Sequence, residues 1–256
     1  MERNKIRIIK DFEKKAATYY KKNYLEINHS NFIRNSRREI ITDNIDFGKR
    51  YKNVMDCGCG PVLLFGNLHE IAENYIAMDI SPDNLNNIIK NYKIQSVECI
   101  LADLDNFKWE GNKFDLIICS GSIEYTNDPL NNLLKLIAYL EINGILIISF
   151  PNKVSPYRLW GKFIYSYIYK FKNLILRKNQ HIYKNKLFSR KQISKAVEKK
   201  NVRIEKCIYN GLKIIPQPFD NLLRVIDFLV MKSGWLNKLD VLNFLKFEFV
   251  YILKKY

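Results

Sequence analysis

Five short apolar runs set the rhythm of the middle of the chain: NVMDC (53–57), YIAMDI (75–80), VECILAD (97–103), FDLIICS (114–120) and ILIISF (145–150). Each is rich in Val, Ile, Leu or Phe and has the length of a strand. They are continuous rather than alternating, as expected of parallel strands buried on both faces. Helical stretches separate them. VLLFGNLHEIAE follows the first run. SPDNLNNIIKNY follows the second, with Ser81 as N-cap and Pro82 at the first helical position. DPLNNLLKLIAYLEINGI follows the fourth, and Gly144 suits a helix stop. This alternation predicts a doubly wound α/β sheet.

Outside this core the pattern changes. Residues 1–50 are polar and basic, with helical rhythm in DFEKKAATYYKKNY and NFIRNSRREIITDNI. After Pro151 comes an aromatic, basic stretch, YRLWGKFIYSYIYKFKNLIL. SRKQISKAVEKKN then predicts a helix capped by Ser189, and RIEKCIYN (203–210) a strand. FDNLLRVIDFLVMKSGWLNKLDVLNFL predicts hydrophobic helices, and KFEFVYIL (246–253) a final strand. The chain reads as a single domain, 1–256. It comprises N-terminal helices (1–50), a core (53–150), and two helical inserts (155–180 and 216–245) expected to cap a substrate.

Composition narrows the function classes. The 256 residues are 47% hydrophobic with a net charge of +16, which fits a globular protein rather than a disordered one. Five cysteines without a Cys-x-x-Cys pair predict neither a disulfide framework nor a zinc site. There is no signal-peptide core at the N-terminus and no apolar window long enough to span a bilayer, so a reducing cytoplasm is the default location. The positive charge is compatible with nucleic acid, anionic lipid or an acidic substrate, and a chain-wide bias to Lys, Asn and Ile is the plainer account of it.

VMDCGCGPVLL (54–64) carries the most chemistry. A strand ends at Asp56, and Gly58 and Gly60 follow before a helix. Glycines permit a sharp turn and close approach to a ligand, and a helix start favours an anionic group. The dinucleotide fingerprint needs a third glycine where Leu63 stands, which argues against NAD. Asp79 ends the second strand, where a carboxylate can accept both hydroxyls of a ribose. Asp103 ends the third, where it can accept from an adenine amino group.

Taken in order, these motifs resemble the class I S-adenosylmethionine (SAM)-dependent methyltransferases of the small-molecule type, such as ubiquinone and sugar methyltransferases. VMDCGCG is similar to the family's first motif, AMDIS to its second, and ILADLDNF to the adenine segment. FDLIICSGSIEYTNDP resembles the fourth-strand motif, LEINGILIISFPN the following loop and strand, and HIYKNKLFSRKQISKAVEKKNVRIEKC the late segment. The resemblance implies a Rossmann-like seven-stranded sheet of order 3-2-1-4-5-7-6, with strand seven antiparallel and slotted between ILIISF and RIEKCIYN. It implies SAM as methyl donor. Asp56, Gly58 and Gly60 then belong to the donor site, the glycines lining its methionine part. Asp79 and Ile80 serve ribose and adenine, Asp103 and Leu104 the adenine, and Ser120 and Gly121 the methionine amino group and methyl. An arginine of the N-terminal helices, Arg37 or Arg38, would meet the methionine carboxylate; Arg38 is the candidate carried forward.

Two departures stand out. Val62 replaces a frequent glycine and would narrow the pocket. Glu124-Tyr125 replaces a frequent Glu-His, so no general base is evident, and Glu124, Tyr125 and His181 are the base candidates. The expected reaction moves a methyl group from SAM to a hydroxyl or amine of a small molecule, or of a glycan or lipid-linked acceptor. The alternative is a SAM-binding regulatory or assembly protein without catalysis. Nucleic acid is not expected as substrate: the chain has Ser120-Gly121-Ser122-Ile123 where DNA amino-methyltransferases carry a Pro-Pro motif, and it lacks a Pro-Cys nucleophile. Within 155–180, a helix would align Trp160, Phe163, Ile164, Tyr167, Ile168 and Phe171 on one face, flanked by basic residues. That face reads as a lid over the acceptor or as core, and alternatively as a peripheral contact with an anionic membrane surface.

Overall fold

The computed structural model describes residues 25, 29–65, 67–92, 97–165, 167–168, 186–198, 200–212 and 239–256. Helix α1 (His29–Thr42) precedes β1 (Tyr51–Cys57). One helical turn, α2 (Leu68–Ile71), leads into β2 (Ala72–Asp79), α3 (Pro82–Asn91) and β3 (Val97–Leu101). Strand β4 (Phe114–Cys119) ends in a 3-10 turn, Ile123–Tyr125. Then come α4 (Pro129–Tyr139), β5 (Leu140–Pro151), α5 (Pro156–Trp160), α6 (Arg190–Val197), β6 (Val202–Leu212) and β7 (Lys246–Lys255).

The seven strands form one sheet of order β3-β2-β1-β4-β5-β7-β6. Strands β1 to β5 run parallel, and β7 lies antiparallel to both neighbours. The expected order and the internal position of the last strand are therefore observed. Both faces are covered. Met55, Ile117, Leu146 and Phe249 pack with Leu133 and Leu136 of α4 and Ile193 of α6. Val54, Tyr75, Leu116 and Val250 pack with Ile41 of α1 and with Leu85 and Ile88 of α3. The sheet order reverses at β1, which lies between β2 and β4. That switch point opens a crevice beyond the strand ends.

Local signals set several boundaries. The Ser81 hydroxyl accepts from the Asn84 amide at the start of α3, with Pro82 in the first turn. Ser189 and Gln192 form a reciprocal capping box on α6.

Two expectations are corrected. The helix expected over VLLFGNLHEIAE shrinks to Leu68–Ile71, because Ala72 pairs with Tyr51 and the strand claims its end. Gly144 does not stop a helix: α4 ends at Tyr139, and Gly144 lies within β5. A Cβ there would sit 2.7 Å from the Phe114 carbonyl oxygen. The glycine therefore permits close strand approach where the β4–β5 register shifts.

Of the aromatic insert, only the part up to residue 168 is described. Tyr157 is buried, whereas Phe163, Ile164, Tyr167 and Ile168 are exposed, so the core reading does not hold for these four. Phe171, His181 and most of 216–245 lie outside the described residues. No described helix is long and apolar enough to cross a membrane.

Candidate active site

The first wall of the crevice is the turn after β1. Gly58 (φ 76°) and Gly60 (φ 70°) both adopt left-handed backbone, which only glycine takes without strain. The Gly58 and Cys59 amides donate to the Met78 carbonyl at 2.7 and 3.1 Å, tying the turn to β2. A Cβ on Gly58 would lie 2.3 Å from Ser122 Cβ, whereas one on Gly60 would meet nothing within 4 Å. Gly58 is thus required by packing as well as by φ.

Asp79 ends β2 and is buried. Its Oδ2 accepts from the Gly60 amide at 2.9 Å, and its Oδ1 from the Ser81 amide at 2.9 Å and Asn84 Nδ2 at 3.1 Å. Burial pushes its pKa up, and these hydrogen bonds pull it back. Asp79 therefore fixes the glycine turn and the start of α3 from one carboxylate.

The loop after β3 closes the far side. Asp103 Oδ1 accepts from the Asp105 amide at 3.1 Å. Asp105 in turn accepts from the Asn127 amide at 2.8 Å and from Asn132 Nδ2 at 2.6 Å. Lys135 Nζ donates to the Leu104 carbonyl at 2.9 Å. The loop is thereby anchored to α4.

Beyond β4, Gly121 (φ 67°) donates its amide to Ser149 Oγ at 2.8 Å. Ser122 Oγ donates to the Cys57 carbonyl at 2.8 Å. Over Gly121 lies Arg37 of α1, whose Nη2 would be 2.7 Å from a Cβ at that position.

One cavity is bounded by Gly58, Gly60, Asp79, Ile80, Asp103, Leu104, Ser120 and Gly121. The structure thus brings together eight of the ten residues expected at the donor. Arg37 and Tyr125 also line it.

Two expected donor residues do not line it. Arg37, not Arg38, is the arginine at the cavity. Asp56 lies behind it: strand alternation sends its side chain with Val54 to the face covered by α3, where it accepts from the Tyr75 hydroxyl at 3.1 Å. Burial there raises the Asp56 carboxyl to about 7, against the lowering effect of the Tyr75 bond, and the Asp79 charge adds to the rise. Val62 is not among the lining residues, so the narrowing expected from it is not seen.

Glu124 also falls outside the lining. It is buried, and its Oε2 has no hydrogen-bond partner among the described residues. Burial raises its pKa, while the Arg37 and Arg158 charges oppose that rise. Arg158 is partly open by surface area yet enclosed by protein on most sides, and this enclosure lowers it to about 10. Its Nε donates to the Phe247 carbonyl at 2.8 Å, and its guanidinium lies 3.5 Å from the Phe247 ring centroid. His181 is outside the described residues. Among the described residues no cluster is placed to hold a metal ion.

Sequence reasoning missed Ser122, Asn84 and Asp105. Asn84 carried a readable signal, two positions into a helix capped by Ser81. Ser122 and Asp105 carried none, because their partners are distant in sequence.

The cavity fits SAM on its own chemistry. It offers a glycine-lined turn for close approach, a buried carboxylate beside it, a second carboxylate in the loop after β3, and a guanidinium for a carboxylate. A family profile described as a methyltransferase domain matches residues 30–206. The ubiquinone biosynthesis O-methyltransferase of Rickettsia bellii (strain OSU 85-389) is 27% identical over 165 residues, covering 61% of this chain and 65% of that protein. The protein of the same name from Rickettsia typhi is 26% identical over 207 residues, 77% of this chain and 79% of that one. The chain thus spans about 65% of the length of the first of these relatives. Among solved structures, magnesium protoporphyrin IX methyltransferase from Synechocystis PCC 6803 with bound S-adenosylhomocysteine (SAH) superposes with a TM-score of 0.59 at 13% identity. That match covers 99% of this chain and 100% of that one. N-methyltransferase NodS from Bradyrhizobium japonicum WM9 in complex with SAH gives 0.56 at 8% identity, covering 87% of each chain. At such identities these structures carry the fold. The family profile makes the chain a member of the methyltransferase-domain family, and its fold is that of the class I SAM-dependent methyltransferases.

Proposed function

We propose that this methyltransferase acts on a hydroxyl of a small or lipid-linked acceptor, such as a phenol or a sugar. The observation that carries the reading is the single cavity joining Gly58, Gly60, Asp79, Asp103 and Gly121, with Tyr125 at its wall. The O-methyltransferase names of the Rickettsia proteins favour oxygen over nitrogen. Nothing in the site favours the inactive alternative.

SAM, when bound, supplies a methyl group already activated by a sulfonium. In this reading Asp79 holds the ribose hydroxyls and Asp103 with Leu104 the adenine. Ser120 and Gly121 border the methionine end, and Arg37 takes its carboxylate. Tyr125 orients the acceptor hydroxyl, and alignment supplies most of the rate. Glu124 acts from behind this wall through its charge rather than by touching the acceptor. The exposed Phe163, Ile164, Tyr167 and Ile168 belong to the insert that caps the acceptor, where they exclude water during transfer. Whether this face also rests on an anionic bilayer is decided by vesicle co-sedimentation at low and high salt.

The test of the function is SAH formation from methyl-labelled SAM with matched phenol, catechol, sugar and amine acceptors. Label on oxygen, with a rate that falls in a Tyr125→Phe variant, supports the proposal. Label only on nitrogen overturns the acceptor assignment, and absence of SAH binding by calorimetry overturns the donor site itself.

A further inference from the structure

We infer that Glu248 of β7 is a positioning residue for the donor, acting through Arg37. It rests on the reading that Arg37 meets the methionine carboxylate.

Arg37 Nη1 pairs with Glu248 Oε2 at 2.9 Å. The pair joins residues 211 positions apart, and Glu248 is only 3% exposed. The other carboxylate oxygen is also engaged: Asn210 Nδ2 donates to Glu248 Oε1 at 2.8 Å and to the Ile33 carbonyl at 2.9 Å. Asn210 therefore grips both the carboxylate and the helix that carries Arg37. Next to it Gly211 (φ 72°) faces Ile33, where a Cβ would lie 2.8 Å from Ile33 Cγ1. That glycine lets α1 sit close against β6. The result is a bracket of β6, β7 and α1 that sets the depth and angle of one guanidinium.

The guanidinium is planar and forked. With Nη1 fixed on Glu248, the guanidinium lies over Gly121 at the cavity wall, where a Cβ would be 2.7 Å from Nη2 and 3.0 Å from Cζ and Nη1. A ligand carboxylate at the methionine end would meet an arginine already held in place, so little rotamer freedom is lost on binding. Without Glu248 the same arginine could turn away from Gly121, and its buried charge would lose its compensating partner. Gly121 thus gives the guanidinium room, and Glu248 holds it there.

The experiment compares binding of SAH, which carries the carboxylate, with binding of 5′-methylthioadenosine (MTA), which lacks the amino-acid portion. Glu248→Gln keeps shape and hydrogen-bonding capacity while removing the charge. It should weaken SAH by about tenfold or more, the usual scale for losing a charge-assisted contact, and leave MTA within about twofold. In an Arg37→Met background, Glu248→Gln should change SAH affinity no further. Equal losses for SAH and MTA, or additive losses in the double variant, overturn the inference and leave Glu248 a structural residue. If Glu248→Gln unfolds, Asn210→Ala provides the same comparison, with a smaller loss confined to SAH. If the unaltered protein binds SAH no more tightly than MTA, the Arg37 reading fails and this inference with it. If it binds neither, the donor site fails.

Discussion

The cavity has two sides built in different ways. On the β1–β2–β3 side, carboxylates at or just beyond the strand ends are held by backbone amides: Asp79 by Gly60 and Ser81, and Asp103 by Asp105. Beyond β4, side chains from remote segments meet. Arg37 comes from α1, Glu124 from the 3-10 turn, Arg158 from α5 and Glu248 from β7. Asp79 is buried and accepts hydrogen bonds at both oxygens, whereas Glu124 is buried with one oxygen that has no hydrogen-bond partner among the described residues. In the proposed reading, the first side holds the donor. The second is held by a long-range ion pair between Arg37 and Glu248, with Arg158 fixed on the Phe247 carbonyl and ring.

Substitutions separate these two sides. The largest effect is expected from Gly58→Ala. It combines left-handed strain of about 1–2 kcal/mol with overpacking of about 1–3 kcal/mol against Ser122. Chemical denaturation should show a loss of about 2–5 kcal/mol, with SAH affinity falling too. Ser122→Gly in the same background should restore the overpacking share only. A stable Gly58→Ala protein would show that the turn moves freely.

Asp56 tests the layer behind the donor side. Its carboxyl is raised to about 7, above its ordinary value, so the folded protein holds that proton more tightly than the unfolded chain. The resulting stability is full below about pH 4 and is lost as pH rises through about 7. Asp56→Asn removes this component. The stability of the parent relative to the variant should therefore fall by up to about 4 kcal/mol between pH 4 and pH 8. Asp79 and Glu124, also raised by burial, leave a slope of the same sign in the variant. A pH-independent difference would mean that Asp56 is ionised throughout.

Asp79→Ala loosens the Gly60 turn and, in the proposed reading, deletes the ribose acceptor. We expect SAH affinity to drop by about 1–3 kcal/mol, and MTA to drop with it, since both carry the ribose. Calorimetry showing loss for SAH alone would move Asp79 away from the ribose. The smallest effect belongs to Arg38→Ala. Arg38 is off the cavity, so SAH affinity should change by less than about 0.5 kcal/mol, as for an ordinary surface site. Arg37→Met should weaken SAH about tenfold or more. A reversal of that order would restore Arg38 to the carboxylate.

The alternating apolar runs and helical stretches determined that this chain forms a doubly wound sheet, because strand and helix periodicities are written in adjacent residues. Most of the donor side was equally legible: a strand end, a glycine turn and an acidic residue at the next strand end are local features. The internal place of β7 was anticipated through the family resemblance, although only pairing with both β5 and β6 realises it. Other features were decided in three dimensions. Whether Arg37 or Arg38 faced the cavity depended on how α1 packs on β6 and β7. The short α2 depended on Ala72 pairing with Tyr51, and the role of Gly144 on the Phe114 carbonyl. The displacement of Asp56 from the donor followed from strand pleat, which sends neighbouring side chains to opposite faces. Ser122, Asp105 and Glu248 owe their roles to partners 65, 27 and 211 residues away. No local pattern encodes such meetings, because they exist only once the sheet has brought its strand ends to one edge.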